Sequence, residues 1–142
     1  MHPYPHVYSV SASGSATGIV PVSSRGVPVI DTAPPIEFDG PGDAWSPETL
    51  LVAAVANCFI LTFRGVARAA KLEWERVECQ VEGVLERTEG VTRFSRFKTR
   101  ATLQLAAGAD RSRAHELLER AEKLCLIANS LRGERELEAV IN

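Results

Sequence analysis

The stretch of residues 45–70, WSPETLLVAAVANCFILTFRGVARAA, constrains the fold of this chain more than any other. Its start is typical of a helix, because Ser46 can act as the N-cap, Pro47 suits the first helical position and Glu48 favours the positive end of the helix dipole. Nearly every residue from 50 to 63 is apolar or small, on all sides of the helix. A surface helix shows a single apolar stripe, so this helix is predicted to be buried in a core or an interface.

The sequence around this helix also indicates what buries its apolar surface. The apolar run is too short, and Arg64 and Arg68 follow it too closely, to predict a membrane span. A single small domain has few other elements with which to cover a helix that is apolar all round. We therefore expect a second subunit to cover part of it, which predicts a homodimer and no membrane partner.

Two cysteines lie in apolar, helix-forming segments. Cys58 is in the middle of the long helix, and Cys125 lies in a second run, KLCLIANSL, at residues 123–131. A buried free cysteine is commonly only a small apolar side chain, and that remains an alternative for both. Two cysteines on two helices of one small domain could instead face each other as a dithiol. Spacing alone does not decide between these alternatives.

Length, charge and composition limit the classes of protein to consider. The 142 residues, 45% of them hydrophobic, predict one domain, residues 1–142, with a sizeable core. A formal net charge of −2 and a pI near 5.9 argue against nucleic acid or an anionic membrane as the main partner.

The N-terminal residues and the cysteine pattern predict a compartment. MHPYPHVYSV has neither a basic nor an apolar region of the kind found in a secretion signal, so we expect a cytoplasmic protein. Reducing conditions there disfavour structural disulfides, and a cytosolic cysteine pair is more often catalytic, redox-sensing or metal-binding. No CxxC motif occurs, and no histidine lies near a cysteine in sequence, so no metal site is predicted.

The remaining segments predict an α+β fold. A three-stranded N-terminal meander precedes the long central helix, which is followed by a β-hairpin, a second helix and a final strand. Pro21 and Pro28 place the meander strands near an edge or require bulges. Asp110 caps the second helix, which carries Cys125 on its buried stripe and ends at Arg132 and Gly133. The predicted strands are residues 7–12, 19–22, 27–30, 74–87, Val91–Leu105 and Glu134–Ile141.

The hairpin strands alternate between apolar and charged residues. Cys79 lies on the apolar side of the first strand, which indicates a core side chain. The second strand is basic on its outer side, and the glutamates of the first strand complement it. Paired opposite charges of this kind favour a solvated hairpin face over a nucleic-acid site. The basic residues are Arg93, Arg96, Lys98 and Arg100.

At its two cysteine segments the chain resembles the OsmC/Ohr family of thiol-dependent peroxidases. The resemblance is carried by SPETLLVAAVANCF and, 67 residues after its cysteine, by CLIANSL. It extends from about residue 9 to the C-terminus and is specific because the two segments occur together.

The resemblance implies a two-cysteine organic hydroperoxide reductase. Cys58 would be the thiol that attacks the peroxide, and Cys125 the thiol that resolves the product into a disulfide. The family also implies an intertwined homodimer with two active sites at the subunit interface. No metal or organic cofactor is expected, and an external dithiol would act as reductant.

Glu48 matches the glutamate at the start of the family's long helix. It precedes Cys58 by ten residues, or about 15 Å on a straight helix, so the two cannot touch within one subunit. Glu48 would have to reach the cysteine of a second subunit or act through a bridging cation. The alternative role is simple complementarity to the helix dipole.

One residue of the family pattern is missing. The best-studied branch has an arginine in the first hairpin that activates the thiolate, whereas GSATG at residues 14–18 contains none. Since Cys58 is mid-helix, we expect a cation to activate it, and Arg25 in SSRG is the leading candidate although it does not match the family position. The missing arginine also supports an alternative function, a non-catalytic dimeric ligand-binding or redox-responsive protein of the same fold.

Overall fold

The computed structural model describes all residues, 1–142, and confirms the α+β prediction. Six strands form two separate three-stranded sheets, accompanied by three α-helices and one short 3-10 helix. The chain divides into two compact units, Met1–Leu50 and Leu51–Asn142. A single domain over residues 1–142 stays a prediction.

The first unit contains the predicted meander, with the first and third strands shorter than predicted. Strands β1 (Ser11–Ala12), β2 (Val20–Ser23) and β3 (Ile30–Thr32) are antiparallel and lie in the order β1-β2-β3. The strand predicted at residues 27–30 was placed too early, because Pro28 has no N–H with which to join a ladder and pairing begins only at Ile30.

Helix α1 (Pro47–Ala69) begins as the sequence predicts. The Ser46 hydroxyl accepts a hydrogen bond from the Thr49 N–H at 3.1 Å, and the Ser46 N–H donates to the Thr49 hydroxyl at 3.0 Å. Two N–H groups that the helix leaves unpaired are thereby satisfied. By length and composition alone α1 could cross a membrane, but the core helix of a soluble protein passes the same test.

The second unit is built on a long hairpin. Strands β4 (Trp74–Thr88) and β5 (Val91–Leu105) are antiparallel, and β6 (Glu134–Ile141) pairs in parallel with the other edge of β5. One face of α1 packs with β5 and α2 (Arg111–Leu124) into the main core. The fully or nearly fully buried residues of this core are Phe59, Phe63, Ala67, Ala101, Leu103, Leu105, Ala114, Leu117, Leu118 and Ala121.

The charges of the hairpin are complementary, as predicted, but only in part through directly opposed pairs. Glu86 lies opposite Arg93, and Glu82 lies opposite Lys98. Arg100 instead forms an exposed ion pair at 3.8 Å with Glu138 of β6. Exposed pairs of this kind contribute little to stability, so they give the hairpin a solvated face and do not hold it together.

The second predicted helix is interrupted, so the prediction of one continuous helix from Asp110 to Arg132 is wrong. Asp110 caps α2 as expected, accepting a hydrogen bond from the Arg113 N–H at 3.0 Å. The helix stops before Cys125, whose backbone is extended (φ −61°, ψ 104°), and a short helix α3 (Leu126–Asn129) follows. The spacing of apolar residues remains helical through this segment, so periodicity gave no sign of the break.

Candidate dithiol site

The structure brings Cys58 and Cys125 together in one apolar cluster. Helix α1 supplies Cys58, which is 9% exposed, and the break between α2 and α3 supplies Cys125, which is 1% exposed. Both are free thiols, and the Cys125 thiol is one of the hydrogen-bonding groups that lower the pKa of Cys58. The other members of the cluster are Leu51, Val52, Val55, Val81, Phe94, Phe97, Ile127, Ala128 and Leu131.

Cys58 is the more acidic of the two thiols. Burial raises the pKa of Cys58, but hydrogen bonds from the Ile127 N–H, the Cys125 thiol, the Thr62 hydroxyl and the Leu126 N–H outweigh burial and hold the pKa below its ordinary value. The Thr62 hydroxyl lies 3.8 Å from the Cys58 sulfur. None of these groups carries a positive charge, so within this chain hydrogen-bond donors favour the thiolate.

The other two thiols are held in the protonated form. Burial raises the pKa of Cys125, and the hydrogen bond and charge of Cys58 raise it further, against the N–H groups of Ala128 and Ile127. Burial, with a smaller contribution from Cys125, raises the pKa of Cys79 to about 12. Cys79 packs beside the main core, in agreement with the core role that its strand position indicated. The arrangement offers one nucleophile with a protonated thiol beside it.

These pKa directions predict selective alkylation. Since only the thiolate reacts, the alkylation rate of Cys58 should rise with pH and level off at a lower pH than for an ordinary thiol. Cys79 should stay unmodified, because a pKa of about 12 leaves roughly one thiolate in ten thousand at pH 8. Iodoacetamide labelling from pH 5 to 9, read by peptide mass spectrometry, measures each cysteine separately. Equal rates at Cys58 and Cys79 would contradict the prediction.

The other two predicted site residues lie in the first unit, whereas both cysteines lie in the second. Arg25 is exposed, in the turn between β2 and β3. Glu48 contributes to a largely apolar cavity of about 280 Å³, and its Oε2 atom is buried without a hydrogen-bond partner. Their proposed roles at Cys58 stay predictions.

Sequence reasoning missed the groups that act most directly on Cys58. The N–H groups of Leu126 and Ile127 are available only because the second helix breaks, whereas its apolar spacing predicts a continuous helix. The one sequence signal is the polar pair Asn129 and Ser130 in an otherwise apolar run, since such residues compete with helical hydrogen bonds. No group of three or more His, Cys, Asp or Glu side chains lies close enough to hold a metal ion.

Comparison with known proteins places this arrangement in a family. The sequence profile described as OsmC-like protein matches residues 40–139, which include both cysteines. The chain belongs to the OsmC-like protein family. The uncharacterized protein YmaD of Bacillus subtilis is 33% identical over 107 residues, which are 73% of this chain and 71% of YmaD.

Solved structures of this family have the same fold. An OsmC-like protein of unknown function from Vibrio cholerae aligns with a TM-score of 0.87 and 17% identity, over 96% of this chain and 100% of that chain. The organic hydroperoxide resistance protein OsmC from Legionella pneumophila, also described as a predicted redox protein, aligns with a TM-score of 0.77 and 27% identity, over 99% of both chains. The predicted OsmC-like fold is thereby confirmed.

Proposed function

We propose that this OsmC-like protein is a thiol-dependent peroxidase that reduces organic hydroperoxides to alcohols. The observation that carries the proposal is the placement of two free thiols in one buried cluster, Cys58 with a lowered pKa and Cys125 in its protonated form. The name of the Legionella relative, an organic hydroperoxide resistance protein, supports the same chemistry. The apolar cluster around the two thiols favours a bulky organic hydroperoxide over hydrogen peroxide.

The proposed cycle has three balanced steps. The Cys58 thiolate attacks a peroxide oxygen, the O–O bond breaks, and the alkoxide leaves and takes up a proton to become the alcohol. The sulfur is oxidised by two electrons to a sulfenic acid. The Cys125 thiol then attacks that sulfur, releases water and forms a disulfide, which an external dithiol reduces by thiol–disulfide exchange. No metal or organic cofactor takes part in any step.

The decisive test is peroxide consumption by the purified protein with a dithiol as the only reductant. We expect stoichiometric alcohol formation from tert-butyl hydroperoxide, and slower turnover of hydrogen peroxide. A protein that consumes neither would favour the second candidate, a non-catalytic ligand-binding or redox-responsive dimer. The absence of an arginine from residues 14–18 is the specific observation that supports that candidate.

A homodimer is part of the proposal, and exposed apolar side chains support it. Leu61 in the middle of α1 is 53% exposed, and Trp45 at the start of this helix is also 53% exposed. Apolar surface on a helix of this kind is typical of a subunit interface. Sedimentation at micromolar concentration should give twice the monomer mass, and a monomer would overturn this part of the proposal. We also propose a cytoplasmic location, where an external dithiol pool is present.

Glu48 and Arg25 are proposed to complete the site in the dimer. A buried carboxylate oxygen without a partner is costly, at roughly 1–3 kcal/mol or more, so Glu48 should receive a donor when the assembly forms. Arg25 is a suitable donor because a guanidinium stays charged at working pH and lies here on a turn at the surface. Bridging Glu48 and the Cys58 thiolate would give Arg25 the role that the family assigns to its missing hairpin arginine.

Arg25→Ala should therefore impair the chemistry and leave the fold intact. With the cation gone, the pKa of Cys58 should rise, and peroxide reduction at pH 7 should slow by about ten- to a hundredfold. Alkylation rate against pH and peroxide turnover measure the two effects. Arg87→Ala, which removes an exposed arginine from the end of β4, is the matched control. Identical alkylation curves for wild type and Arg25→Ala would remove Arg25 from the site.

A further inference from the structure

At the end of helix α2, two backbone N–H groups and two carbonyls have hydrogen-bond partners that differ from those in a continuous helix. In a continuous helix each N–H donates to the carbonyl four residues earlier, so Leu126 would donate to Glu122 and Ile127 to Lys123. In this structure neither N–H donates to those carbonyls. Ile127 packs in the same cluster as Cys58, and the N–H groups of Leu126 and Ile127 are hydrogen-bond donors to the Cys58 sulfur. The two carbonyls that they would have satisfied need other donors.

Two side chains replace the missing donors. Arg135 of β6 donates from Nη2 to the Glu122 carbonyl, which also accepts from the Cys125 N–H at 3.3 Å. Asn129 donates from Nδ2 to the Lys123 carbonyl at 3.1 Å. The carbonyls that a continuous helix would have occupied with Leu126 and Ile127 are therefore taken by Arg135 and Asn129.

Arg135 also ties the two sides of the break together. Its Nε donates to the Glu122 carboxylate at 2.6 Å, and its Nη1 donates to the Asn129 Oδ1 at 2.6 Å. The side chains of Arg135 and Glu122 are only 25% and 21% exposed, so water competes weakly for the bond between them, whereas the bond to Asn129 is exposed. A planar guanidinium can make all three contacts at once, which the single ammonium of a lysine cannot do in the same geometry.

The start of β6 places Arg135 at this position. Gly133 has φ +118°, and a Cβ there would lie 2.7 Å from the Ser95 carbonyl oxygen. Glycine thus lets the chain enter β6 close against β5. Two residues later Arg135 lies in register with Phe97, itself a member of the dithiol cluster.

We propose that Arg135 is a positioning residue of the dithiol site, which holds open the break at Cys125 so that the N–H groups of Leu126 and Ile127 face the Cys58 sulfur. The inference deepens the proposed function, because it names a residue that sets the reactivity of the attacking thiol without touching it. Loss of Arg135 would let the Glu122 carbonyl recapture the Leu126 N–H. Helix α2 would then extend through Cys125, and Cys58 would lose its donors.

The surroundings of Cys58 make a pH profile interpretable. The titratable group that faces it is Cys125, which in turn acts on Cys79 of β4. Apart from Cys58, the side chains that α1, β4 and β5 contribute to the cluster are apolar, and Thr62 of α1, which also contacts the Cys58 sulfur, is uncharged. A change in the alkylation profile of Cys58 can therefore be assigned to its hydrogen-bond donors.

Arg135→Gln tests the proposal through the alkylation of Cys58 with iodoacetamide from pH 5 to 9. We expect the rate to level off at a higher pH than in wild type and to be about tenfold slower at pH 7, since hydrogen bonds to a charged group are lost. Asn129→Ala should shift the profile in the same direction by a smaller amount. Arg135→Lys keeps the positive charge but loses the planar guanidinium that makes three contacts at once, so its profile should resemble that of Arg135→Gln.

Controls separate positioning from charge and from loss of fold. Arg132→Gln removes an exposed positive charge nearby and should leave the profile unchanged. A wild-type profile for a folded Arg135→Gln, or full rescue by Arg135→Lys, would overturn the proposal. If Arg135→Gln does not fold, Asn129→Ala is the deciding variant. An unchanged alkylation profile of Cys58 in Asn129→Ala would then also overturn the proposal. Because alkylation needs no peroxide, the result is independent of whether the protein proves to be a peroxidase.

Discussion

Replacing Cys58 with serine should abolish peroxide consumption, with a loss of more than about a thousandfold in turnover. Cys58 is the thiol with the lowered pKa, and a hydroxyl in its place is not ionised at neutral pH. The loss should be measured as alcohol formed from tert-butyl hydroperoxide in the presence of a dithiol. A Cys58→Ser variant that retains most of its activity would mean that another group attacks the peroxide.

Two further variants separate the roles of the remaining thiols. Cys79→Ala is the matched control, because it removes a thiol of high pKa beside the core and should keep nearly full activity. Cys125→Ser should still form the Cys58 sulfenic acid once but should not form the disulfide, so dimedone should trap the oxidised sulfur. Multiple turnovers by Cys125→Ser with a dithiol would show that the reductant can act directly on the sulfenic acid.

Replacing Gly40 with alanine should strongly destabilise the first unit. A Cβ at this position would overlap the Pro34 carbonyl and lie 2.8 Å from the Pro35 carbonyl oxygen, and a backbone neighbour cannot move aside as a side chain can. We expect a loss of about 3 kcal/mol or more in the free energy of unfolding, at the upper end of effects of single substitutions. Thermal and urea denaturation followed by circular dichroism measure this loss.

The control for Gly40→Ala is another glycine of the same unit. A Cβ at Gly14 would meet only the end of the Val20 side chain, at 3.3 Å, so Gly14→Ala should change the stability by about 0.5 kcal/mol or less. Equal stabilities of the two variants would mean that the loop at Gly40 is free to rearrange. Since Pro34 and Pro35 line the cavity at Glu48, a destabilised loop should also weaken any function that depends on Glu48.

The sequence alone determined the class of fold and the family. Capping residues and uniform apolarity identified α1, because both signals are local and strong. Alternation of apolar and charged residues located the hairpin, and Val91–Leu105 was predicted with the bounds that the structure has. The two cysteine segments identified the family, and the family profile matches residues 40–139, which contain both segments.

Only the tertiary structure decided which of the two thiols is acidic and which stays protonated. The break at Cys125 depends on Arg135, which lies on β6, a strand that pairs with β5. No pattern within residues 110–132 contains that information. Periodicity records which residues face the core, and it is the same for a continuous and an interrupted helix. The acidity of Cys58 depends in part on the N–H groups of Leu126 and Ile127, and the break that frees them is bonded by Arg135, which lies on another element, to Glu122.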